Sequence, residues 1–229
     1  TIFNYNKSFL INKSVLMLFK KEHKNKFDSF LKSSSKEKKS ITMSAINNNG
    51  HNIILKVGKT GKLKNANTYL VIQNITDINN EITELSKRAF YDKLTMIPNL
   101  ALFMDRVTIA FNQSKRQKKK FSIIYLDIDD FKKINDTLGH QTGDVVLKEL
   151  SKRLKYSIRN SDTVARIGGD EFLILLQYVS SKNDILIVMK RIIQLCAIPI
   201  KTDVSNNKIN ISSGISIYPR DGSNVNTLI

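Results

Sequence analysis

The sequence predicts an α+β protein in two parts: a small module ending in antiparallel strands, then a larger sheet covered by helices. Three observations predict it. Strand-like apolar runs near the N-terminus are joined by glycine-punctuated turns. A single helix-spaced stripe follows them. From Asp92 onward, helix and strand signals alternate to the end of the chain. With 229 residues and 41% hydrophobic content, there is apolar material for one large core or two small ones.

The elements read in order as follows. Lys13 to Leu31 has helix-compatible apolar spacing, and Asn47-Asn-Asn-Gly50 is a turn signal. His51 to Val57 and Asn67 to Gln73 read as strands, with Gly58 and Gly61 punctuating the connection between them. Thr76 or Asp77 caps a helix on which Ile78, Ile82, Leu85 and Ala89 fall on one stripe. This is a connecting helix that either packs on its own domains or pairs as a short coiled coil. Leu100 to Ser114 reads as helix, Lys115 to Lys120 as a basic loop, and Phe121 to Asp127 as a buried strand. Val145 to Ile158 is an amphipathic helix. Thr163 to Ile167 and Glu171 to Leu176 are strands around Gly168-Gly169. Asp184 to Cys196 is helix, and Asn210 to Ile217 is a further strand.

The net charge is +17, from 37 Lys+Arg against 20 Asp+Glu. The basic residues are dispersed and do not form one stripe interleaved with aromatics. They read as solvated faces, and no nucleic-acid partner is expected. The positive field still favours a polyanion such as a nucleoside triphosphate. The single Cys196 makes no internal disulfide, fits a reducing cytoplasm and reads as a small buried hydrophobe. No apolar run approaches the ~20 residues of a membrane span. The chain begins at Thr1 without a secretory signal. It reads as a cytoplasmic piece of a longer protein, whose remainder has room for a membrane anchor.

Two stretches carry chemistry. In Asp127-Ile-Asp-Asp-Phe-Lys-Lys-Ile-Asn-Asp, an apolar strand runs straight into carboxylates, and Asp127 and Asp129 share a face. Acidic residues at a strand end hold hard cations; equally, Asp129 or Asp130 caps the next helix. In Arg166-Ile-Gly-Gly-Asp-Glu-Phe172, a Gly-Gly turn sets Asp170 and Glu171 at a hairpin tip where a phosphate can approach the backbone closely. Alone, that turn reads as an ordinary polar turn. If the hairpin pairs with the Asp127 strand, Asp127 and Asp170 converge on a metal, the device of phosphoryl chemistry.

Taken together, the motifs resemble the GGDEF family of diguanylate cyclases. Asp92-Lys-Leu-Thr-Met-Ile-Pro-Asn99 is similar to the family's opening, with Met96 for the usual Gly and Leu100 for the usual Arg. These departures are expected to affect local packing only. Asp127 to His140 with Gly143-Asp144, the uninterrupted Arg166 to Phe172, and Asn210 to Pro219 with Asp221-Gly222 match its later blocks. The resemblance implies a polymerase-palm-like fold in which two facing protomers condense two GTP into cyclic di-GMP and two pyrophosphates.

It also implies roles for particular residues. Asp127, the Ile128 carbonyl and Asp170 hold Mg²⁺ or Mn²⁺. Asp170 or Glu171 helps deprotonate the 3′-hydroxyl, and Lys132 faces the phosphates. Asn135 and Asp144 bind the guanine edge, Gly168 and Gly169 give the phosphates room, and Leu94 and Phe131 line the base pocket unless they are plain core. His140 sits in a turn as a structural residue. Arg159-Asn-Ser-Asp162 matches the family's inhibitory product site.

The implied organisation is a partial PAS-like sensor over residues 1–78, a connecting helix over 79–91 and a GGDEF domain over 92–229. The latter is expected to lack its C-terminal triphosphate-contacting helix, which would impair the segment alone. Leu102-Phe-Met-Asp-Arg106 resembles GGDEF domains fused to a downstream EAL phosphodiesterase domain. That likeness supports an alternative, a non-catalytic module binding GTP or cyclic di-GMP.

Overall fold

The computed structural model describes residues 19, 21–32, 40–47, 49–60, 69–202 and 206–229. The chain divides into two compact units, Thr1–Leu85 and Ser86–Ile229. Among the described residues no helix is long and apolar enough to cross a membrane.

Among its described residues, the first unit contains a three-stranded antiparallel sheet with a helix packed into its core. Helix α1 spans Lys24–Lys32 after a 3-10 turn at Lys21–His23. The expected helical stretch before it, residues 13–18 and 20, lies outside the described residues. Strands β1 (Ser40–Ile46), β2 (Asn52–Thr60) and β3 (Tyr69–Asn74) pair in that order. The alternating apolar residues Ile41, Met43 and Ala45 of β1 and Ile53, Leu55 and Val57 of β2 are buried with Phe19, Phe27 and Phe30. Strand β1 has a clean alternation that the sequence reading passed over. Gly58, read as part of a connection, lies inside β2 opposite Ser40 and Val71.

Helix α2 spans Thr76–Phe90. Its start is tied down by Asn74, whose side-chain oxygen accepts from the backbone N–H and the hydroxyl of Thr76. No residue of α2 is buried, so Ile78, Ile82 and Leu85 of the expected stripe are exposed.

The second unit is built on a four-stranded sheet, antiparallel throughout, in the order Thr163–Gly168, Glu171–Val179, Lys120–Ile128 and Ile211–Tyr218. Helix α3 (Leu100–Gln117) is capped by Asn99, whose side chain accepts from the Leu102 N–H. It runs through the first half of the expected basic loop. Lys115 and Arg116 occupy its last turn, where cations complement the carbonyl end of a helix, and Lys118 ends it with a left-handed φ of 53°. Strand β4 (Lys120–Ile128) leads into α4 (Phe131–Leu138), a helix the sequence reading left open, and then α5 (His140–Ser157). Only Gly139, at φ 84°, separates these two helices. His140 is thus the first residue of α5 and not part of a turn.

Strands β5 (Thr163–Gly168) and β6 (Glu171–Val179) form the hairpin, and α6 (Lys182–Cys196) follows with a capping box between Ser181 and Asp184. Two short strands, β7 (Ile200–Lys201) and β8 (Asn206–Asn207), precede β9 (Ile211–Tyr218).

Both faces of β4 and β6 are covered. Ile124, Leu126, Ile128, Phe172 and Ile174 pack with residues of α5 and α6, including Leu150, Leu154, Ile192 and the buried Cys196. Phe121, Ile123, Leu173 and Leu175 pack with Phe103, Val107 and Ala110 of α3. Such double burial explains the near-continuous apolar run Phe121–Leu126. Each fully buried side chain of this kind contributes about 1.5–3 kcal/mol, so the central strands are the most strongly held part of the unit. Burial lifts the Cys196 thiol to about 11.

Candidate active site

The carboxylates gather where the covered faces end. On β4 the odd-numbered residues share one face. Phe121 and Ile123 are buried under α3, Tyr125 and Asp127 are partly exposed, and Asp129 follows the strand. On β6, Glu171 stands directly opposite Asp127, and Ser212 of β9 faces Asp127 from the other side. The expected pairing of the hairpin with the Asp127 strand therefore occurs. Asp127's cross-strand neighbour is Glu171, while Asp170 sits in the turn beside it.

The turn is shaped by a register shift between Arg166 and Gly168 and by Gly169 at φ 49°. That left-handed conformation favours glycine. Nothing lies within 4 Å of a side chain built at Gly168 or Gly169. The tip is open, as close approach of a phosphate requires.

The charge at this strand end is unbalanced. Among the described residues, none of Asp127, Asp129, Asp170 and Glu171 has an ion-pair partner, in a chain of net charge +17. Burial raises the Asp127 carboxyl above the ordinary range, and Asp170, Glu171 and Asp129 push it further the same way. The Tyr125 hydroxyl donates to Glu171. That bond, with burial and the nearby carboxylates, lifts the phenol to about 12. Asp129 accepts from the Ser212 hydroxyl at 2.7 Å. Asp130 holds the position before α4, with φ 57° and no side-chain cap bond. Asp130 therefore is the N-cap residue of α4, as one reading expected, but through its backbone carbonyl and not its side chain.

A divalent cation fits this chemistry. No three His, Cys, Asp or Glu side chains among the described residues converge as a ready ligand set. Two carboxylates and a backbone carbonyl suffice, however, for a hard cation that keeps part of its water shell. Uncompensated, mutually repelling oxygens at the sheet edge are the donor set such an ion neutralises.

Two residues given no role in the sequence reading hold the hairpin. The Arg166 guanidinium donates through Nε and Nη2 to the Gly169 carbonyl, at 2.9 and 2.7 Å, and through Nη1 to Asp92 Oδ1 at 3.0 Å. Asp92 Oδ1 also accepts from the Thr95 N–H and hydroxyl. Burial raises the Asp92 carboxyl, but the bonds from Thr95 and Arg166 outweigh it and hold the group below its ordinary value. The opening motif is thus a brace for the Gly168-Gly169 turn. Met96 within it has φ 58° and is exposed, so the usual glycine is replaced where the backbone favours one.

The remaining predicted residues fall into two further places. Phe131, Asn135 and Gly143 meet where α4 crosses α5. A side chain at Gly143 would lie 2.0 Å from Asn135 Oδ1 and 3.1 Å from the Phe131 ring. Asp144, next along α5, and Lys132 are exposed. Phe131, at 8% exposure, belongs to the core, and Leu94 packs on it partly buried.

Arg159 is exposed at a cavity of about 220 Å³ lined also by Tyr91, Arg106, Lys155 and Asp162. Asp162 is largely committed elsewhere. Its Oδ2 accepts from the Arg159 N–H and its Oδ1 from the Gln177 N–H, at 3.1 and 3.0 Å.

The profile of a protein family described as "Diguanylate cyclase, GGDEF domain" matches residues 89–229. The chain belongs to the GGDEF family. Within it, the chain is 37% identical over 143 residues to diguanylate cyclase TpbB of Pseudomonas aeruginosa, covering 62% of this chain and 33% of that protein. It is 33% identical over 157 residues to the bifunctional diguanylate cyclase/cyclic di-GMP phosphodiesterase MucR of the same organism, covering 69% and 22%. It is 35% identical over 145 residues to that organism's cyclic di-GMP phosphodiesterase NbdA, covering 63% and 18%. The chain thus spans a fifth to a third of these relatives' lengths.

Among solved structures, the isolated TpbB GGDEF domain superposes with a TM-score of 0.56 at 37% identity, covering 58% of this chain and 77% of that one. The GGDEF domain of Caulobacter crescentus DgcB, solved with c-di-GMP, gives 0.53 at 28% identity, covering 56% and 77%.

Proposed function

We propose that the full-length protein is a diguanylate cyclase. The observation that carries the reading is the unpaired carboxylate group of Asp127, Asp129, Asp170 and Glu171 at the open Gly168-Gly169 turn. Two GTP molecules are brought together by two copies of the domain. On each, the 3′-oxygen attacks the partner's α-phosphate, the bond to the β-phosphate breaks and pyrophosphate leaves. The proton of the 3′-hydroxyl passes to Asp170 or Glu171, and two such steps close the ring. Tyr125, donating to Glu171, fixes the direction in which that carboxylate presents its free oxygen.

Asp127, Asp170 and the Ile128 carbonyl are the groups that would hold Mg²⁺ or Mn²⁺. The ion supplies neutralisation of triphosphate charge and acidification of the attacking hydroxyl. Asn135 and Asp144 read the guanine edge, an amide and a carboxylate suiting its acceptor and donors. Phe131 and Leu94 back the base, Lys132 stabilises charge on the phosphates, and Gly168 and Gly169 leave them room. The product returns to the cavity at Arg159 and Asp162 and restrains the enzyme. The reaction belongs in the cytoplasm, where GTP is available.

The first unit is a PAS-like input that delivers its signal through α2. Its antiparallel sheet, leading from β3 through Asn74-Ile-Thr-Asp77 straight into the helix, supports this.

A second reading, a nucleotide-binding regulatory module in a protein with a phosphodiesterase domain, is favoured by the likeness to NbdA. One experiment separates them. The full-length protein is incubated with GTP and Mg²⁺, and cyclic di-GMP is measured by chromatography. Product that disappears in Asp170→Ala supports the cyclase; GTP binding without product supports the module.

A further inference from the structure

The end of β4 remote from Asp127 carries a second feature. A cavity of about 240 Å³ lies between Val179 of β6, Ile217 and Tyr218 of β9, and Pro219. Its rim is Lys120, Lys182 and Arg220, with Ser181. A second hollow, lined by Lys118, Lys119, Tyr178 and Ser180, adjoins it across the shared Lys120 and Val179. Along β4 the cavity is seven residues from Asp127, or ~23 Å at ~3.3 Å per residue, so it is no part of the nucleotide site.

We propose that this shelf docks an acidic peptide segment of a partner protein, with one apolar side chain of that segment seated in the cavity. Four observations carry this. First, the rim is positive beyond what the fold requires. Among the described residues Lys118, Lys120 and Lys182 form no ion pair. Of the neighbouring acids, Asp221 is bound to Arg220 and to the Ile217 N–H, and Asp184 to the Ser180 and Ser181 N–H groups.

Second, Lys182 is the first residue of α6. A cation there is opposed by the helix dipole, whereas an anion on the rim would be favoured by both. Third, the floor is apolar and small. Small-molecule sites span ~300–1,000 Å³, so ~240 Å³ takes a single side-chain-sized group. A concave floor also suits a peptide anchor better than a flat bilayer. Fourth, the second hollow is held open by an irregular backbone. Strand β4 shifts register against β6 between Lys120 and Ser122, and Tyr178 adopts φ 56°. The Tyr178 hydroxyl donates to Gln113, and Lys119 lies 4.7 Å over its ring.

The test uses the full-length protein and a fluorescein-labelled heptapeptide with Phe at its centre and three Glu on either side. Fluorescence anisotropy should report saturable binding. Replacing the central Phe by Ala should weaken it about tenfold, and Lys120→Glu with Lys182→Glu should weaken it by at least about tenfold. The control Lys148→Glu with Lys190→Glu changes net charge equally on exposed helix positions elsewhere and should alter it less than about threefold. All variants are checked for an unchanged thermal melt. Equal weakening by both charge pairs, or indifference to the Phe, would overturn the proposal by reducing it to non-specific attraction. So would binding to phosphatidylglycerol vesicles without binding to the peptide. None of these readouts depends on cyclase activity.

Discussion

Replacing Arg166 with Ala removes three charge-assisted hydrogen bonds, two to the Gly169 carbonyl and one to Asp92. Bonds to charged groups contribute about 1.5–3 kcal/mol each. Here the two to Gly169 share one acceptor, and Gly169 is exposed, so water replaces them cheaply. Asp92 keeps its two bonds from Thr95. The net loss is therefore about 2–3 kcal/mol, less than half the gross sum. A chain of 150–250 residues shifts its Tm by ~2–4 °C per kcal/mol, which gives a fall of about 4–12 °C. The kinetic effect should be larger. A turn free to move by ~1 Å displaces Asp170 and Glu171 from the reacting atoms, which costs about 10²-fold in kcat. Arg166→Lys should recover stability more than rate, because an ammonium cannot fork onto the Gly169 carbonyl and Asp92 together. The acid limb gives a second check. The Asp92 carboxyl is held below its ordinary value of 3.8. Its contribution is present above that value and lost as pH falls through the lower folded one. Asp92→Asn should remove that part of the acid sensitivity. Cyclic di-GMP formation and thermal melts of the full-length protein measure both effects. An Arg166→Ala protein with wild-type kcat and melt would refute the idea that the opening motif braces the hairpin.

Three further outcomes follow from the same geometry. Gly143→Ala should lower the melt, since the added methyl would meet Asn135 Oδ1 at 2.0 Å and the buried Phe131 ring at 3.1 Å, a crowding that outweighs the helix preference of alanine, up to ~1 kcal/mol. It should also raise the KM for GTP by displacing the Asn135 amide, and an unchanged KM would remove Asn135 from the guanine site. Asp162→Ala should cost about 2–4 kcal/mol in urea unfolding, because it strips the Arg159 and Gln177 N–H groups of their acceptor. Arg159→Ala, truncating an exposed side chain, should leave unfolding unchanged and relieve inhibition by added cyclic di-GMP. Asp127→Asn should abolish turnover while raising the melt in metal-free buffer by up to about 2 °C. The ionised Asp127 is opposed by burial and three neighbouring acids in the folded state, so neutralising it helps folding at neutral pH. A lower melt without metal would show that the cluster is not repulsive.

The architecture of the second unit was legible because its central strands β4 and β6 are buried on both faces and its long helices carry an apolar stripe. Phe121–Asp127 and Glu171–Leu176 therefore announced themselves. Elements with less periodic signal were missed. Helix α4 has eight residues and a single buried one, Phe131, so its stripe is too short to count. The turn expected at His140 failed because one left-handed glycine, Gly139, is enough to separate two helices. The basic run Lys115–Lys120 looked like a loop by composition, yet lysine and arginine are good helix formers and suit a helix's last turn.

At the site, the residues proposed to touch the nucleotide were assigned from their resemblance to the family's motifs, whereas the residues that hold the hairpin were given no role. Arg166 and Asp92 are 74 positions apart, and nothing local in either segment says that a guanidinium on one strand will bridge a turn carbonyl and an acid before α3. Tyr125 is different. Strand alternation puts it on the face of Asp127, and direct pairing of Asp127 with Glu171 brings the phenol within reach of that acid. Its contact followed from period two and a register that only the fold supplies. The carboxylate pair and its two supports thus differ in kind. The phenol belongs to the rigid sheet. The guanidinium hangs on an opening motif only two residues beyond the end of α2, at Phe90. A perturbation of that helix end has a short route to the Gly168-Gly169 turn, through the Arg166–Asp92 ion pair and the Arg166 N–H bond to the Pro98 carbonyl.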